Sequence, residues 1–509
     1  VDRFEVIVVG SGAGGGVIAG ELAERGHSVL LLEAGAYHTA ADFSRWEVHA
    51  NRQLFFPLGQ AVPADGEGRP MDTLRARCVG GGTTINTKVA LRADRTDFEK
   101  WHAASGLLGD RGEPIGEADL GPYYERMERA LDVRTRDDWR PFVNVAERGF
   151  EALGYSLTSV ESATDFNCMS CGSCIQGCPT NAGKSTLNTF INRALARRTL
   201  ELRAGCEVTR VVIEDGADGP QATGVEYRDA LGDDHRAAAD AVVVACGTLG
   251  TPGLLLRSGI LDAANGSPSS RQIGRNLGFH PVRLVFGLFD EIQDAHRAYP
   301  ITAHCMDFQD DAKGGYVLEA STLMDPFAFA ASVCGEDGAP LWGEDLVAVM
   351  DRYRYWNGVL AMVNDENNGT VVPGPDGTDV VTYDWNERET ERLDQAFGFA
   401  REVLEAAGAK RIVHTQPFST HLQGSCRMGL DPERSAVDPH GESHDVRRLF
   451  VGDGSVVPHT LSVNPMLTFQ ALALRLADYL ASGEHGYFEP APKGGAQPPR
   501  PAPMATSQA

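Results

Sequence analysis

No stretch of this 509-residue chain approaches the roughly 18 uninterrupted apolar residues that a membrane-spanning helix needs, so a helical span is not expected. Cysteine is scarce: ten residues are too few for a disulfide scaffold, and reduced thiols are expected. Basic residues are outnumbered 46 to 70, a formal charge of −24, which makes nucleic acid and anionic membranes poor partners. Salt screens such a field beyond roughly 8 Å, so only acids at a pocket mouth could bias it toward neutral or cationic molecules. Also missing is any fixed-period repeat, which excludes a solenoid. The first residues enter an apolar run, Val6-Ile7-Val8-Val9, without a basic region or cleavage site, so no secretory leader is expected and the location reads as cytoplasmic. What is present is an ordinary globular composition, 42% hydrophobic and 23% charged, long enough for two or three substructures at about 150 residues each.

The opening reads as strand, glycine turn, helix and strand: Val6 to Val9, Gly10-Ser11-Gly12-Ala13-Gly14-Gly15, Val17 to Arg25, then Val29 to Leu32. Gly10-x-Gly12-x-x-Gly15 between a strand and a helix is a dinucleotide fingerprint: Gly10 for the tight turn, Gly12 for close approach of a pyrophosphate, Gly15 for helix packing. The helix N-terminus, entered through Ala13 and Gly14, offers free N–H groups to phosphate. Glu33 follows Gly10 by 23 residues, where a carboxylate can accept from an adenosine ribose. On this motif alone NAD and FAD both remain open.

Helical spacing recurs at Leu120 to Leu131, Val143 to Leu153, Ser185 to Arg197 and Glu387 to Ala407. Strands are expected at Val208 to Glu214, Gly224 to Arg228, Ala241 to Ala245 and Arg448 to Val451, the run before Gly247 suiting a parallel sheet buried on both faces. Shorter alternating pieces from His280 to Tyr383, with a turn at Pro375-Asp376-Gly377, suggest a separate antiparallel sheet. A long helix is expected over Thr468 to Leu480, and a Pro-rich, disordered tail over 486–509. The expected fold is α/β: a dinucleotide-binding domain of 1–115, 195–282 and 445–485, interleaved with a substrate domain of 116–194 and 283–444.

Four further segments carry a resemblance. They are Gly80-Gly81-Gly82-Thr83-Thr84-Ile85-Asn86 through Arg92; Gly247-Thr248-Leu249-Gly250-Thr251-Pro252 through Ile260; Gly274-Arg275-Asn276-Leu277 with His280-Pro281; and His421 to Gly429 with Gly452-Asp453-Gly454-Ser455 through Thr468. Together, from Val6 to about Leu480, the chain resembles the glucose-methanol-choline family of FAD-dependent oxidoreductases, in its long-chain-alcohol-oxidase-like branch. It departs at Leu261, where that family's second signature has glycine. The resemblance implies a Rossmann-type FAD domain and a sheet-based substrate domain. It would place Gly80, Gly81, Gly82 and Thr83 around the cofactor, Val208 at its adenine, Asn86 and Ala90 near the isoalloxazine, Ala245 and Gly247 along the loop, and Asp453 at the ribityl chain. Asn464, Pro465 and Met466 would flank the flavin pyrimidine, and the absence of a histidine where some relatives attach FAD implies noncovalent binding.

The same resemblance implies oxidation of an alcohol, with oxygen or another acceptor taking the electrons. The candidates for substrate are sugars, amino sugars, polyols and long-chain alcohols. A hydroxynitrile-lyase-type reaction with redox-silent FAD is the alternative. Removing a hydroxyl proton calls for a base titrating near working pH, and histidine, ordinarily near 6.5, suits it. By resemblance this is His421, with Asn464 as the amide that orients the oxygen; His280, His440, His444 and His459 read as structural or surface residues. Within a loop at 165–182, Cys168-x2-Cys171-x2-Cys174-x3-Cys178-Pro179 has ferredoxin-like spacing. The second run that supplies the fourth ligand in two-cluster ferredoxins is missing. A structural thiol or disulfide loop is therefore favoured, with iron–sulfur and zinc left open.

Overall fold

A computed structural model describes residues 2–56, 61–63, 70–135, 140–297, 299–320, 324–374 and 378–489. The turn at 375–377 and all but the first four residues of the expected tail lie outside these. Among the described residues no helix is long and apolar enough to cross a membrane.

The first sheet grows from the opening βαβ unit. Strand Asp2–Val9 pairs in parallel with Val29–Glu33 on one side and Asp234–Val244 on the other; Leu200–Ala204 and Leu449–Val451 extend the parallel set. Val6 to Val9 and Val29 to Leu32 are all buried; helix Gly15–Glu24 packs on these strands, and strand Glu207–Gly216 also touches Val29–Glu33. The sheet is mixed: Gly219–Arg228 runs antiparallel to Asp234–Val244, and Glu207–Gly216 antiparallel to Gly219–Arg228. Helices Gly15–Glu24 and Met466–Ser482 pack together on this sheet.

The second sheet is antiparallel at its centre, where Val282–Leu288, Trp356–Val363, Tyr316–Ala320 and Ala303–Cys305 lie side by side. Residues directly opposite each other share a face. Val285, Val359, Ala361, Leu318 and Ala320 point to one face, covered by helices Arg140–Ala152 and Glu387–Ala406. Leu284, Leu360, Met362, Val317 and Glu319 point to the other face. Short helices Pro326–Ser332 and Gly343–Met350 pack against part of that face, and the segment ending in Asn464 approaches it.

Several expected boundaries move. Strands Ala61–Pro63 and Pro70–Thr73, expected in the first domain, join the second sheet through Phe418–Ser419. Helix Glu117–Ala130, expected in the second, packs on Met466–Ser482, and its Leu120, Tyr124 and Met127 belong to the first core. Over Ser185 to Arg197 a π-turn, Leu187–Ile191, precedes a short α-helix, Asn192–Arg197. The long helix begins at Met466, so Pro465 is its N-cap and not a position inside it.

Candidate active site

At the carboxyl end of the first sheet, glycine backbones touch one another. A Cβ on Gly10, whose φ is +96°, would stand 2.2 Å from the carbonyl oxygen of Ala245; one on Gly14 would lie 1.7 Å from that of Gly452. Gly15 is equally confined, 2.0 Å from the oxygen of Gly10. These three are glycine because the protein's own packing demands it. Gly12 and Gly82 differ: a Cβ on Gly12 meets nothing nearer than Gly81 Cα at 4.0 Å, and one on Gly82 meets nothing within 4 Å. Their missing side chains keep clear a groove at the start of helix Gly15–Glu24, which no side chain caps. Open space beside an uncapped helix N-terminus suits a diphosphate.

Glu33 grips this loop from the neighbouring strand. Its Oε2 accepts from the backbone N–H and the hydroxyl of Ser11, at 3.0 and 2.6 Å, and its Oε1 from the N–H of Gly35 at 2.8 Å. Burial pushes its carboxyl above the ordinary range while these bonds pull it down. Three donors leave one acceptor position for a hydroxyl. Ser11 Oγ in turn accepts from Gly80 N at 3.0 Å, and Thr186 bonds Ser11 O at 3.0 Å, so Gly80 to Thr83 are tied to the glycine loop. Neither Ser11 nor Thr186 was singled out by the motif reading, although Ser11 lies inside it.

Val208 sits two residues past Cys206, whose N–H bonds Glu33 O at 2.9 Å. Ala90 is buried, held by its N–H to Glu161 O at 2.9 Å. Asn86 Nδ2 reaches the sulfur of Met466 at 2.8 Å, joining the first signature to the last helix. Asp453 is engaged by the protein: it accepts from Gly247 N at 2.8 Å, Thr251 Oγ1 at 2.5 Å and Ser455 N at 2.8 Å. Removing a buried acceptor leaves its donors unsatisfied. Asp453→Ala is therefore expected to lower the unfolding free energy by roughly 2–4 kcal/mol, measured by urea denaturation of the purified protein.

The segment bearing Asn464 is clamped before it reaches the helix. Trp101 Nε1 donates to His459 O at 2.9 Å, Asn367 accepts from Thr460 N at 2.9 Å, Gln423 from Leu461 N at 3.2 Å, and Asp97 from Ser462 N at 2.9 Å. Gln423 lies two residues past His421, so the segments of His421 and Asn464 run side by side. His421 follows strand Phe418–Ser419, its N–H donating to Ser419 Oγ at 3.3 Å. Backbone bonds between Gly278 and Gln423, at 2.8 and 3.0 Å, bring up the 278–280 turn.

On that turn His280, expected to be merely structural, lies against His421 with ring centroids 5.3 Å apart. Its φ of +48° and complete burial hold it there, and neither ring nitrogen has a partner. Burial, reinforced by His421, drives its pKa well below the ordinary value. His421 keeps Nδ1 sealed and unpartnered, leaving Nε2 as the nitrogen on the open side, and burial lowers its pKa to about 4. The imidazole is thus neutral at neutral pH, the form that accepts a proton. Asn464, 4% exposed, has an unpartnered Oδ1.

The four cysteines of the loop are free thiols, and Cys168, Cys171 and Cys178 lie near enough to act on Cys174. Cys178 Sγ accepts from Gly183 N at 3.2 Å, and burial raises the Cys174 thiol to about 12. Among the described residues no group of three or more His, Cys, Asp or Glu is placed to hold a metal ion. The iron–sulfur and zinc readings of the spacing find no support here.

Comparison with known proteins identifies the family. The N-terminal GMC oxidoreductase model matches residues 4–282, and the C-terminal GMC oxidoreductase model matches 370–473. The chain belongs to the GMC oxidoreductase family, whose members bind FAD, and it is an oxidoreductase. It is 29% identical over 523 residues to a long-chain-alcohol oxidase of Arabidopsis thaliana, covering 92% of this chain and 67% of that protein, so it spans about two thirds of that relative. With paromamine 6'-oxidase of Streptomyces fradiae it shares 30% identity over 516 residues, 94% of this chain and 91% of the relative. The crystal structure of pyridoxine 4-oxidase from Mesorbium loti has the same fold: TM-score 0.72 at 20% identity, covering 94% and 99% of the two chains.

Proposed function

We propose that this protein oxidises an alcohol to an aldehyde or ketone with noncovalently bound FAD. The observation that carries the reading is an imidazole with an unpartnered Nδ1, His421, on a segment that Gln423 bonds to the one carrying Asn464, whose Oδ1 is unpartnered just before a helix. Bound FAD supplies the hydride acceptor. The glycine groove and Glu33 would hold the dinucleotide, and Asn86, Pro465 and Met466 would frame the ring system. His421 Nε2 takes the hydroxyl proton of the substrate as its C–H bond breaks. The Asn464 amide donates to the same oxygen and orients it. The free N–H groups at the start of helix Met466–Ser482 favour negative charge nearby.

Relatives named as long-chain-alcohol oxidase and paromamine 6'-oxidase support alcohols as the substrate class, and the free thiols fit a reducing, cytoplasmic setting. The test is anaerobic mixing of the FAD-loaded protein with a panel of alcohols, sugars and amino sugars. Bleaching of the flavin by at least one member is expected, with air then reporting whether oxygen is the acceptor. No bleaching by any alcohol would sink the reading. Because protonation of His421 removes the base, kcat/KM for a neutral alcohol is expected to stay flat above about pH 5 and to fall as the pH drops through about 4. A profile that instead breaks near 6.5 would show an ordinary, solvated imidazole in that role.

A further inference from the structure

Among the described residues, Glu319 is the buried carboxylate with both oxygens unpartnered, and the mechanism does not use it. Glu319 lies in strand Tyr316–Ala320, on the sheet face turned away from the covering helices. Its cross-strand neighbours on that face are Leu360 and His304, and Val317 and Met362 lie one step along the same face. It is 1% exposed, and neither carboxylate oxygen makes a hydrogen bond. The side-chain amide of Asn464 is near enough to act on it, without the alignment of a bond to either oxygen.

Such a group is costly. A carboxylate removed from water normally finds an arginine, a lysine or several N–H donors, because an unpaired buried charge loses its hydration with nothing in return. Here no cation acts on Glu319. Burial pushes its carboxyl up to about 7, offset only by the Asn464 amide. His304, the titratable group directly opposite, supplies no counter-charge, since burial lowers its pKa to about 4 and its Nδ1 is unpartnered. The surrounding Val317, Leu360 and Met362 can neither hydrate nor pair it. A strand whose other positions are all apolar or aromatic therefore holds an acid with no cationic partner among the described residues.

The geometry points to Glu319 as the receptor for an ammonium group carried by the substrate, placed beside the carbon whose hydroxyl is oriented by Asn464. This deepens the alcohol-oxidation reading and rests on it: the substrate class becomes amino alcohols, including amino sugars. A protonated amine brings the missing positive charge and up to three donors, satisfying both oxygens in an apolar setting where such bonds are strong. The reach of one side chain between Glu319 and Asn464 suits an amine one or two carbons from the carbinol.

The test compares matched alcohols that differ only in that position, on the FAD-loaded enzyme. The pairs are 2-aminoethanol against 1-propanol, and 2-amino-2-deoxyglucose against glucose. The kcat/KM for anaerobic flavin reduction is expected to favour the ammonium member of at least one pair by at least tenfold. In Glu319→Gln that ratio is expected to fall at least tenfold, and Glu319→Asp is expected to restore part of it, with the flavin spectrum of each variant reporting a folded site. Calorimetric titration with ethylammonium, which has no hydroxyl to oxidise, reads the subsite separately. It is expected to show saturable binding to wild type and at least tenfold weaker binding to Glu319→Gln. Absence of ethylammonium binding, or a preference unchanged in Glu319→Gln, overturns the assignment. Equal loss on charged and neutral alcohols also overturns it, by making Glu319 a positioning residue for Asn464. If ethylammonium binds through Glu319 yet no alcohol bleaches the flavin, the subsite stands and the oxidation reading fails.

Discussion

In His421→Ala, anaerobic reduction of the bound flavin by a substrate alcohol is expected to slow by about 10²- to 10⁴-fold, the usual contribution of a positioned general base. The imidazole has a sealed, unpartnered Nδ1, and burial lowers its pKa to about 4, so it is neutral at neutral pH. Its neighbour His280 cannot take over. Both nitrogens of His280 are sealed without partners, and its protonation is opposed by burial and by His421. The flavin is expected to remain bound, because the bonds that join Ser11, Glu33 and Gly80 do not involve His421, whose own N–H donates to Ser419. Stopped-flow traces at 450 nm, read with the yellow colour as a measure of cofactor content, check both parts. A rate within tenfold of wild type would remove His421 from the chemistry. A colourless variant would show instead that the ring supports the cofactor.

How much of this was legible beforehand depends on how local the signal was. The strand, glycine turn and helix from Asp2 to Glu24 could be read because the motif and its elements are contiguous. Helix Glu387–Ala406 was readable from its apolar spacing and is closed at its start by Asn386 and Glu389, which cap one another. The allocation of segments to domains was not legible to the same degree. Strands Ala61–Pro63 and Pro70–Thr73 cross to the second sheet, and helix Glu117–Ala130 packs on Met466–Ser482, through contacts made hundreds of residues away. His280 lies in one of the segments that carry the family resemblance yet reads as structural, because its proximity to His421 is made only by the 278–280 turn bonded to Gln423. Glu319 did leave a trace: a single acid in Tyr-Val-Leu-Glu-Ala, in a strand that proves wholly buried. A charge inside an apolar run is a signal in its own right. The cysteine spacing left a metal site open without favouring it, since ligand spacing is necessary for such a site but not sufficient, and among the described residues no group of three or more ligands is placed to hold a metal ion.

Gly12→Val and Gly14→Ala are expected to fail in different ways, and the difference tests the dinucleotide groove. Both residues belong to one loop, yet only one is required by the protein. A Cβ at position 14 would stand 1.7 Å from Gly452 O and 3.1 Å from Asp453 Cα, so the helix Gly15–Glu24 would have to leave the strand end that carries Asp453. Overpacking of that kind costs about 3 kcal/mol or more, and a fall of several degrees in the melting temperature of the FAD-free protein is expected. A Cβ at position 12 has 4.0 Å of clearance, and the valine methyls would enter the groove ahead of an uncapped helix N-terminus. The FAD-free Gly12→Val protein should therefore melt within about 2 °C of FAD-free wild type, since surface substitutions away from such contacts seldom exceed about 0.5 kcal/mol. Its FAD affinity should fall at least about 100-fold, close to 3 kcal/mol, because the backbone can no longer approach the diphosphate. Fluorescence titration with FAD and calorimetry of the cofactor-free proteins separate the two effects. Normal FAD affinity in Gly12→Val would mean that the diphosphate does not pass over residue 12, and the groove would have to be assigned to something else.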